Sequence, residues 1–227
     1  LKRGPKGGGL SVNQRIIIYT ILSAVGAWWF YSKLGFTSIH IPFGGDFVLG
    51  WLYIPFFILV MTATTHALNL TDGLDGLAAG SVATALSAYL VIAFVQGRFE
   101  LAIMLGVVIG ALMAFLWFNV NPARFFMGDT GSMSLGFVLA TVAMLTDTAF
   151  LLPIIALLPV LETLSVIVQT ASKKIRGKKI FISTPIHHHF EAIGWSETKI
   201  VMRFLIISAI SAVCGLALFL LDRGFLF

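Results

Sequence analysis

The stretch Asn69-Leu-Thr-Asp-Gly-Leu-Asp-Gly-Leu77 lies at the junction of two long apolar runs. It contains two carboxylates, Asp72 and Asp75, at a place where a membrane protein normally avoids charge. A helix that starts near Thr71 or Asp72 would place both carboxylates on one face of its first turn, close to unpaired backbone N–H groups. Such a helix end attracts anions whereas carboxylates repel them, and a divalent cation between carboxylate and phosphate resolves this conflict. The stretch therefore predicts a magnesium-diphosphate site at a membrane surface.

Two glycines in this stretch, Gly73 and Gly76, would let a ligand approach the backbone closely. A second interpretation needs no ligand, because Asp72 can cap the following helix while Asp75 is a solvated residue of its first turn. The doubled Asp-Gly pattern, with Asn69 three residues before Asp72, leaves both interpretations open.

The whole chain has the composition of an integral membrane protein. Of its 227 residues, 58% are hydrophobic and 11% are charged, and the mean hydropathy is +0.97. In soluble domains charged residues alone make up about a quarter. We therefore predict an all-α, polytopic membrane helix bundle with about seven transmembrane helices. The seven apolar runs are Ile16–Tyr31, Phe47–Leu68, Leu74–Val95, Leu101–Phe118, Met133–Leu152, Pro153–Thr170 and Ile200–Leu221.

Prolines and an alternating segment add local detail. Pro153 and Pro159 are expected to start or kink the sixth run, because proline lacks the N–H that a helix interior needs. Between the first two runs, Gly35–Asp46 alternates apolar residues before two glycines, which predicts a small external β-hairpin.

The basic residues predict the orientation. With alternating crossings, twelve of the 15 Lys and Arg residues fall on one side, and only Lys33, Arg98 and Arg223 fall on the other. The side rich in Lys and Arg is normally cytoplasmic. The chain has no nucleic-acid motif, so that we expect membrane lipids and a phosphorylated substrate, and no nucleic acid, as partners. The predicted location is the bacterial inner (plasma) membrane, with a multi-pass chain and its site on the cytoplasmic face.

Two further polar clusters fall on the same predicted side. In residues 117–132, Asn119 and Asp129 supply oxygen ligands or hydrogen-bonding groups. Asp129 precedes an apolar run, and its alternative role is the N-cap of that helix. Phe126 can lie at the lipid interface or stack on a flat base.

The third cluster is the triplet His187, His188 and His189. Consecutive residues of a helix point about 100° apart, which disfavours one metal bound by all three. Imidazoles can donate to phosphate oxygens, and we expect one or two of them to contact a diphosphate while another braces the loop. The isolated His40 and His66 are interpreted as structural.

Taken together, these clusters resemble the polyprenyl-phosphate N-acetylhexosamine-1-phosphate transferase superfamily, and within it the phospho-N-acetylmuramoyl-pentapeptide transferases. The unbroken histidine triplet favours this branch over relatives that act on N-acetylglucosamine donors. The matching text is Asn69-Leu-Thr-Asp-Gly-Leu-Asp-Gly-Leu77, Phe126-Met-Gly-Asp-Thr-Gly-Ser132, Glu162-Thr-Leu-Ser-Val-Ile-Val-Gln169 and Pro185-Ile-His-His-His-Phe-Glu191.

The resemblance implies an enzyme of the first membrane step of peptidoglycan synthesis. Undecaprenyl phosphate would attack the diphosphate of UDP-N-acetylmuramoyl-pentapeptide, giving lipid I and UMP, with Mg²⁺ as cofactor. It also implies site residues. Asp129 would bind the metal, and the catalytic set would be Asp72, Asp129, His187 and His188. Substrate binding would fall to Asn69, Gly73, Leu74, Asp75, Asn119, Phe126 and His189, with Phe126 stacking on uridine.

The chain departs from the family's pattern in one respect. Members have about ten spans and an additional Asp-Asp pair at an earlier cytoplasmic helix, and no such pair precedes Leu10. We therefore expect residues 1–227 to form a single membrane-embedded transferase domain that lacks its N-terminal helices and is inactive, or nearly so, when expressed alone. The general base is left unassigned. The expected partners include a second copy of the chain, in a homodimer.

Two other functions stay open from the sequence. A sister transferase would use another UDP-N-acetylhexosamine, and an assay with each UDP-sugar separates the two. A transporter or channel would also place acids within a membrane protein, but here the acids stand at the ends of apolar runs.

Overall fold

A computed structural model describes residues 12–224 of the chain. This part is helical apart from one two-stranded sheet, which confirms the predicted all-α, polytopic class. Three basic residues that were counted for the orientation, Lys2, Arg3 and Lys6, lie outside it. The helices are α1 (Val12–Ser32), α2 (Tyr53–Thr71), α3 (Leu77–Val95), α4 (Phe99–Asn119), α5 (Gly128–Leu145), α6 (Leu152–Ile155), α7 (Leu157–Arg176), α8 (Ile186–Ala192) and α9 (Glu197–Asp222), and a 3-10 turn (Gly50–Leu52) precedes α2.

Five of these helices are long and apolar enough to cross a membrane, namely α2 with its preceding turn, α3, α4, α5 and α9. The chain is therefore a multi-pass membrane protein. The other two predicted spans differ from these five. In α1 the apolar part, Ile16–Ser32, is shorter, and the sixth apolar run is not one helix.

The sixth run is divided at Ala156, whose φ of −107° and ψ of 47° leave the helical region. Pro153 stands in the first turn of α6, and Pro159 in the first turn of α7, where the missing N–H needs no partner. The expectation that these prolines start or kink the run is confirmed. Helix α7 has a polar buried face. Its buried polar residues recur at helical spacing and so lie on one side of the helix: Glu162, Ser165, Gln169 and Ser172.

The predicted hairpin between α1 and α2 is confirmed. Strand β1 (Ser38–Ile41) pairs antiparallel with β2 (Gly45–Val48), with Ser38 opposite Val48. In β1, His40 Nδ1 lies 2.5 Å from Asp46 Oδ1, and His40 Nε2 lies 2.7 Å from Asp222 Oδ2 at the end of α9. The His40 ring thus has a structural position, since it joins the hairpin to α9.

Helix α3 lies at the centre of the bundle, packed against α4, α9, α5 and α2. Its largest buried side chains include Leu77, Leu86, Tyr89 and Ile92. Beside it, α2 and α5 pack closely because residue 136 is glycine. A Cβ atom on Gly136 would lie 2.7 Å from the Cα of Thr65 on α2, so that only a residue without a side chain permits this approach.

Two helix starts differ from the prediction. A helix was expected to start near Thr71 or Asp72, but α2 continues to Thr71 and α3 begins at Leu77, after Gly76 in the left-handed region with φ 81°. Asp72 is the C-cap residue of α2. The prediction that Asp72 and Asp75 share a first helical turn was therefore wrong, and so was the alternative in which Asp72 caps the following helix.

Helix α5 begins at Gly128 rather than Met133, so its N-cap residue is Met127. Asp129 lies inside the first turn of α5, and the alternative that makes it the N-cap was wrong. A carboxylate in the first turn still interacts favourably with the positive end of the helix dipole.

Candidate functional site

The links on either side of the α3–α4 pair meet around a cavity of about 430 Å³. One link, residues 72–76, joins α2 to α3, and the other, residues 120–127, joins α4 to α5. The cavity therefore lies where the polar stretches of the sequence come together. Its lining residues are Asp72, Gly73, Leu74, Asp75, Asn119, Phe126, Met127 and Gly128.

An acidic pair lies at this cavity. Asp129 Oδ1 accepts a hydrogen bond of 3.0 Å from Asn69 Nδ2, which also donates to Ser132 Oγ at 3.1 Å. Burial and, to a smaller extent, the charge of Asp129 raise the pKa of the Asp72 carboxyl to about 6, although a backbone hydrogen bond from Gly128 partly opposes both. The two carboxylates are thus close enough to repel each other.

These two carboxylates suit a small divalent cation, because hard cations prefer carboxylate oxygens and would relieve their repulsion. Within residues 12–224 no group of three or more His, Cys, Asp or Glu side chains is arranged to hold a metal. A pair of carboxylates fits Mg²⁺, which commonly takes one or two protein carboxylates and completes its shell with water and substrate phosphates.

Asp75 is fixed by contacts from two other segments. Its Oδ2 accepts hydrogen bonds from the Ala123 N–H at 3.0 Å and from Asn121 Nδ2 at 3.2 Å. Its own N–H donates to Glu197 Oε1 at 2.8 Å, and Glu197 Oε2 accepts from Asn121 at 2.9 Å. Glu197, in the first turn of α9, therefore joins both links, and the sequence analysis did not identify it.

Asn119 joins the same two links from within. Its Oδ1 accepts from the Gly76 N–H at 3.0 Å, and its Nδ2 donates to the Phe125 carbonyl at 2.7 Å. The side chain is buried, which gives it a structural function in addition to the predicted substrate contact. Phe126, by contrast, is 73% exposed, and a ring with a free face can stack on a planar ligand.

The structure separates the three histidines of α8. His187 is buried and its Nδ1 lies 3.0 Å from Glu162 Oε2. His188 Nδ1 lies 2.5 Å from Glu191 Oε2 in a half-exposed pair. His189 Nδ1 accepts the Ile182 N–H at 3.3 Å and thereby braces the preceding loop. One histidine braces the loop, as predicted, and a substrate contact for the others stays a prediction.

The structure thus brings most of the predicted residues together, since six of them line the cavity and Asn69, Asp129 and His187 adjoin it. Glu162 was part of a quoted motif but received no role. Glu162 lies inside the sixth apolar run, so the expectation that the acids stand at the ends of such runs was wrong for this residue. An acid in this position was a signal that could have identified it, because such residues are rare in membrane segments without a partner or a function.

The chain is similar in sequence to known proteins. The chain matches glycosyl transferase family 4 over residues 8–147. It is 48% identical over 207 residues to the phospho-N-acetylmuramoyl-pentapeptide-transferase of Clostridium perfringens (strain 13 / Type A), covering 90% of this chain and 65% of that protein. It is 44% identical over 211 residues to the transferase of the same name from Geobacillus thermodenitrificans (strain NG80-2), covering 92% and 64%. The chain therefore spans just under two thirds of the length of these relatives.

Proposed function

Because the chain belongs to glycosyl transferase family 4, we propose that it transfers phospho-N-acetylmuramoyl-pentapeptide from its UDP-linked donor to undecaprenyl phosphate. The observation that carries this proposal is the cavity of about 430 Å³, where an exposed aromatic ring and the Asp72–Asp129 pair border one space. Its size suits part of a ligand of substrate size. The name of the relatives supports the choice of donor.

The chemistry is a phosphoryl transfer. An oxygen of the acceptor phosphate forms a bond to the phosphorus that carries the sugar, the bond from that phosphorus to the bridging oxygen breaks, and UMP leaves with that oxygen. The products are lipid I and UMP. In such reactions the protein mainly positions the reactants and neutralises charge. Phe126 would stack on uracil, while Gly73, Leu74 and Asp75 would form the wall beside the nucleoside.

We assign the magnesium site to Asp129, with Asp72 beside it. When bound, the ion supplies positive charge to the diphosphate oxygens. Asn69 keeps the Asp129 carboxylate in place through its hydrogen bond. Asn119 holds the two links at a fixed separation. The histidines of α8 lie on the side of the site where α8 contacts α7.

The lipid acceptor requires an apolar surface, and one lies along α2. A groove of about 260 Å³ runs between α2 and the broken α6–α7 segment, lined almost entirely by apolar groups such as Leu59, Ala63, Pro159 and Val160. Helix α2 ends at the Asp72 link. A prenyl chain in this groove would direct its phosphate toward the acidic pair.

The location and assembly follow the same proposal. We place the protein in the bacterial plasma membrane with the cavity on the cytoplasmic face, because the alternating crossings predicted from the sequence put twelve of the 15 basic residues on that side. A nucleotide-linked donor is also a cytoplasmic compound. The helices would form a single transferase domain, and a homodimer stays a prediction.

The test is an enzyme assay of the full-length protein, purified in the presence of lipid. Undecaprenyl phosphate, Mg²⁺ and UDP-N-acetylmuramoyl-pentapeptide should give lipid I with one UMP per product, and chelation of Mg²⁺ should stop the reaction. Turnover of UDP-N-acetylglucosamine alone would identify a sister transferase. Ion flux in vesicles that depends on Asp72 or Asp129, without UMP release, would identify a transporter.

A further inference from the structure

A buried acid and a buried histidine face each other between α7 and α8. Glu162 is 0% exposed and His187 is 1% exposed. Burying a carboxylate is costly unless it is paired and hydrogen-bonded. Here the pairing is intramolecular and close, since Glu162 Oε2 lies 3.0 Å from His187 Nδ1 and accepts the His187 backbone N–H at 3.4 Å.

This arrangement selects one state of the imidazole. Oε2 already accepts a backbone N–H, and an ionised carboxylate has no proton to donate. With Glu162 as a carboxylate, the 3.0 Å contact is a hydrogen bond only when Nδ1 carries the hydrogen. Carboxylates that accept from one nitrogen of a histidine in this way fix both the tautomer and the orientation of the ring.

The second ring nitrogen is directed at the cavity wall. His187 Nε2 is buried and has no hydrogen-bond partner among residues 12–224. A Cβ atom built on Gly73, which lines the cavity, would lie 2.7 Å from His187 Cε1 and closer still to Nε2. The ring therefore occupies the space that any side chain at position 73 would need. Its Nε2 lies against the backbone of Gly73, which lines the cavity.

We propose that Glu162 is a positioning residue that holds His187 with Nδ1 protonated, so that Nε2 meets an oxygen of the donor's diphosphate beside Gly73. This deepens the proposed function and rests on it for the identity of the ligand. Glu162 itself touches no substrate in this assignment. Gly73 completes the device, because only glycine leaves room for the imidazole next to the cavity.

Kinetics test the device through a double-mutant cycle in the gene-encoded protein. Glu162→Gln keeps the volume of the side chain and removes its charge. We expect it to lower turnover about 10- to 100-fold, the range found when carboxylates that orient metal-bound histidines are removed. In a His187→Gln background the same substitution should change turnover less than about 2-fold, because residues that act as one unit are not additive.

The matched control is Ser165→Ala. Ser165 Oγ donates to the Glu162 carbonyl at 2.6 Å, so that its loss removes a buried hydrogen bond from the same helical turn without touching His187. Ser165→Ala should leave turnover nearly unchanged in the parent protein, and nearly unchanged from that of His187→Gln when the two substitutions are combined. If Glu162→Gln and His187→Gln reduce turnover independently, so that their effects multiply, Glu162 acts elsewhere and the proposal fails.

A spectroscopic measurement decides the same point without turnover. In protein labelled with ¹⁵N-histidine, the His187 signals are those lost in His187→Gln. They should report a protonated Nδ1 in the parent protein and a mixed state in Glu162→Gln. UDP with Mg²⁺ should shift the Nε2 resonance of His187.

An unprotonated Nδ1 in the parent overturns the positioning role, and an Nε2 resonance that ignores UDP overturns the diphosphate contact. An absence of lipid I synthesis would instead overturn the proposed function, and the Nδ1 measurement would still decide the role of Glu162.

Discussion

At the hairpin end of the bundle, His40 lies between Asp46 and Asp222, whereas at the cavity end Asp72 lies close to a second carboxylate, Asp129. Both ends gather acids that sequence inspection would treat alike. At the hairpin end the acids have a histidine as their neighbour, and their contacts with it join the hairpin to α9. At the cavity end like charges are held together, which costs stability unless a cation joins them.

The same contrast shows in the carboxyl groups that lie outside the membrane-spanning segments. Burial raises the pKa of Asp147 near the hairpin, and the charge of Asp46 adds to this, but a hydrogen bond from the His40 N–H and the charges of His40 and Arg223 lower it in part. At Asp72 the neighbouring Asp129 adds to the effect of burial. The pKa of Asp147 is thus lowered in part by a histidine and an arginine, whereas the effect on Asp72 is opposed by a backbone hydrogen bond.

The largest expected effect is that of Asp129→Asn. The amide keeps the acceptor that Asn69 uses but removes the charge that attracts Mg²⁺. Turnover should fall by about two to three orders of magnitude, as for loss of an electrostatic stabiliser of the transition state. The measurement is the rate of lipid I formation over a range of Mg²⁺ concentrations. Near-normal turnover at low Mg²⁺ would place the cation elsewhere.

The hairpin end predicts the opposite outcome. Asp222 accepts hydrogen bonds from the Phe43 N–H at 2.6 Å and from His40. Asp222→Ala should therefore lower the free energy of unfolding by about 2 kcal/mol, because it removes a charged acceptor from two hydrogen bonds. Thermal unfolding in detergent measures this. Turnover per folded molecule should stay at the parental level, and a selective loss of turnover would show that the two ends are coupled.

A smaller effect should appear in the pH dependence of stability. The Asp72 pKa is raised from 3.8 to about 6, so the folded protein binds this proton more tightly than the unfolded chain. Protonation thus favours folding below about pH 4, and that stabilisation is lost as the pH rises through 6. Asp72→Asn imitates the neutral carboxyl and should stabilise the metal-free protein at pH 7.5 by about 1 kcal/mol, after allowance for solvent screening.

The control for this prediction is the same variant at pH 4, where it should unfold at nearly the parental temperature. Saturating Mg²⁺ should also reverse the gain at pH 7.5, because the parent then has a ligand for its charge. An equal gain at both pH values would attribute the effect to packing rather than to charge.

The smallest effect compares two exposed rings, Phe126 at the cavity and Phe43 at the hairpin, which are 73% and 69% exposed. Phe126→Leu should raise the KM for the UDP-linked donor about 3- to 10-fold, since stacking on an aromatic ring is worth about 1–3 kcal/mol and leucine retains part of the contact. Phe43→Leu should leave the KM unchanged. Equal behaviour of the two variants would remove the uridine contact from Phe126.

The sequence was sufficient where the signal is local. Alternation followed by glycines predicted the hairpin of β1 and β2. Seven apolar runs were predicted to span the membrane, and five of them correspond to helices that are long and apolar enough to do so. The start of α3 was missed because Asp-Gly pairs favour turns and caps alike. Only the left-handed conformation of Gly76 places the helix start at Leu77.

The sequence predicted many residues of the site, but not the long-range contacts that hold them in place. Aspartates and glycines of two polar stretches suggested that Asp72, Asp75 and Asn119 share a site, and the fold brings them to one cavity. Glu197 lies 122 residues from Asp75, and no short-range pattern links them. The pairing of Glu162 with His187 likewise spans 25 residues and depends on how α7 meets α8.

The contact of Gly136 with Thr65 has a consequence for the cavity end of the protein. Gly136 stands seven residues after Asp129, and Thr65 stands four residues before Asn69, on helices that pack side by side. Only a glycine can lie this close to Thr65, because any residue with a side chain at this position of α5 would bring that side chain into α2. The contact therefore sets the position of α5 along α2. A slip of one helical turn, about 5.4 Å, would carry Asp129 out of reach of Asn69. The alignment of the carboxylate that we propose as a cation ligand is in this way set by the absence of a side chain about two helical turns away.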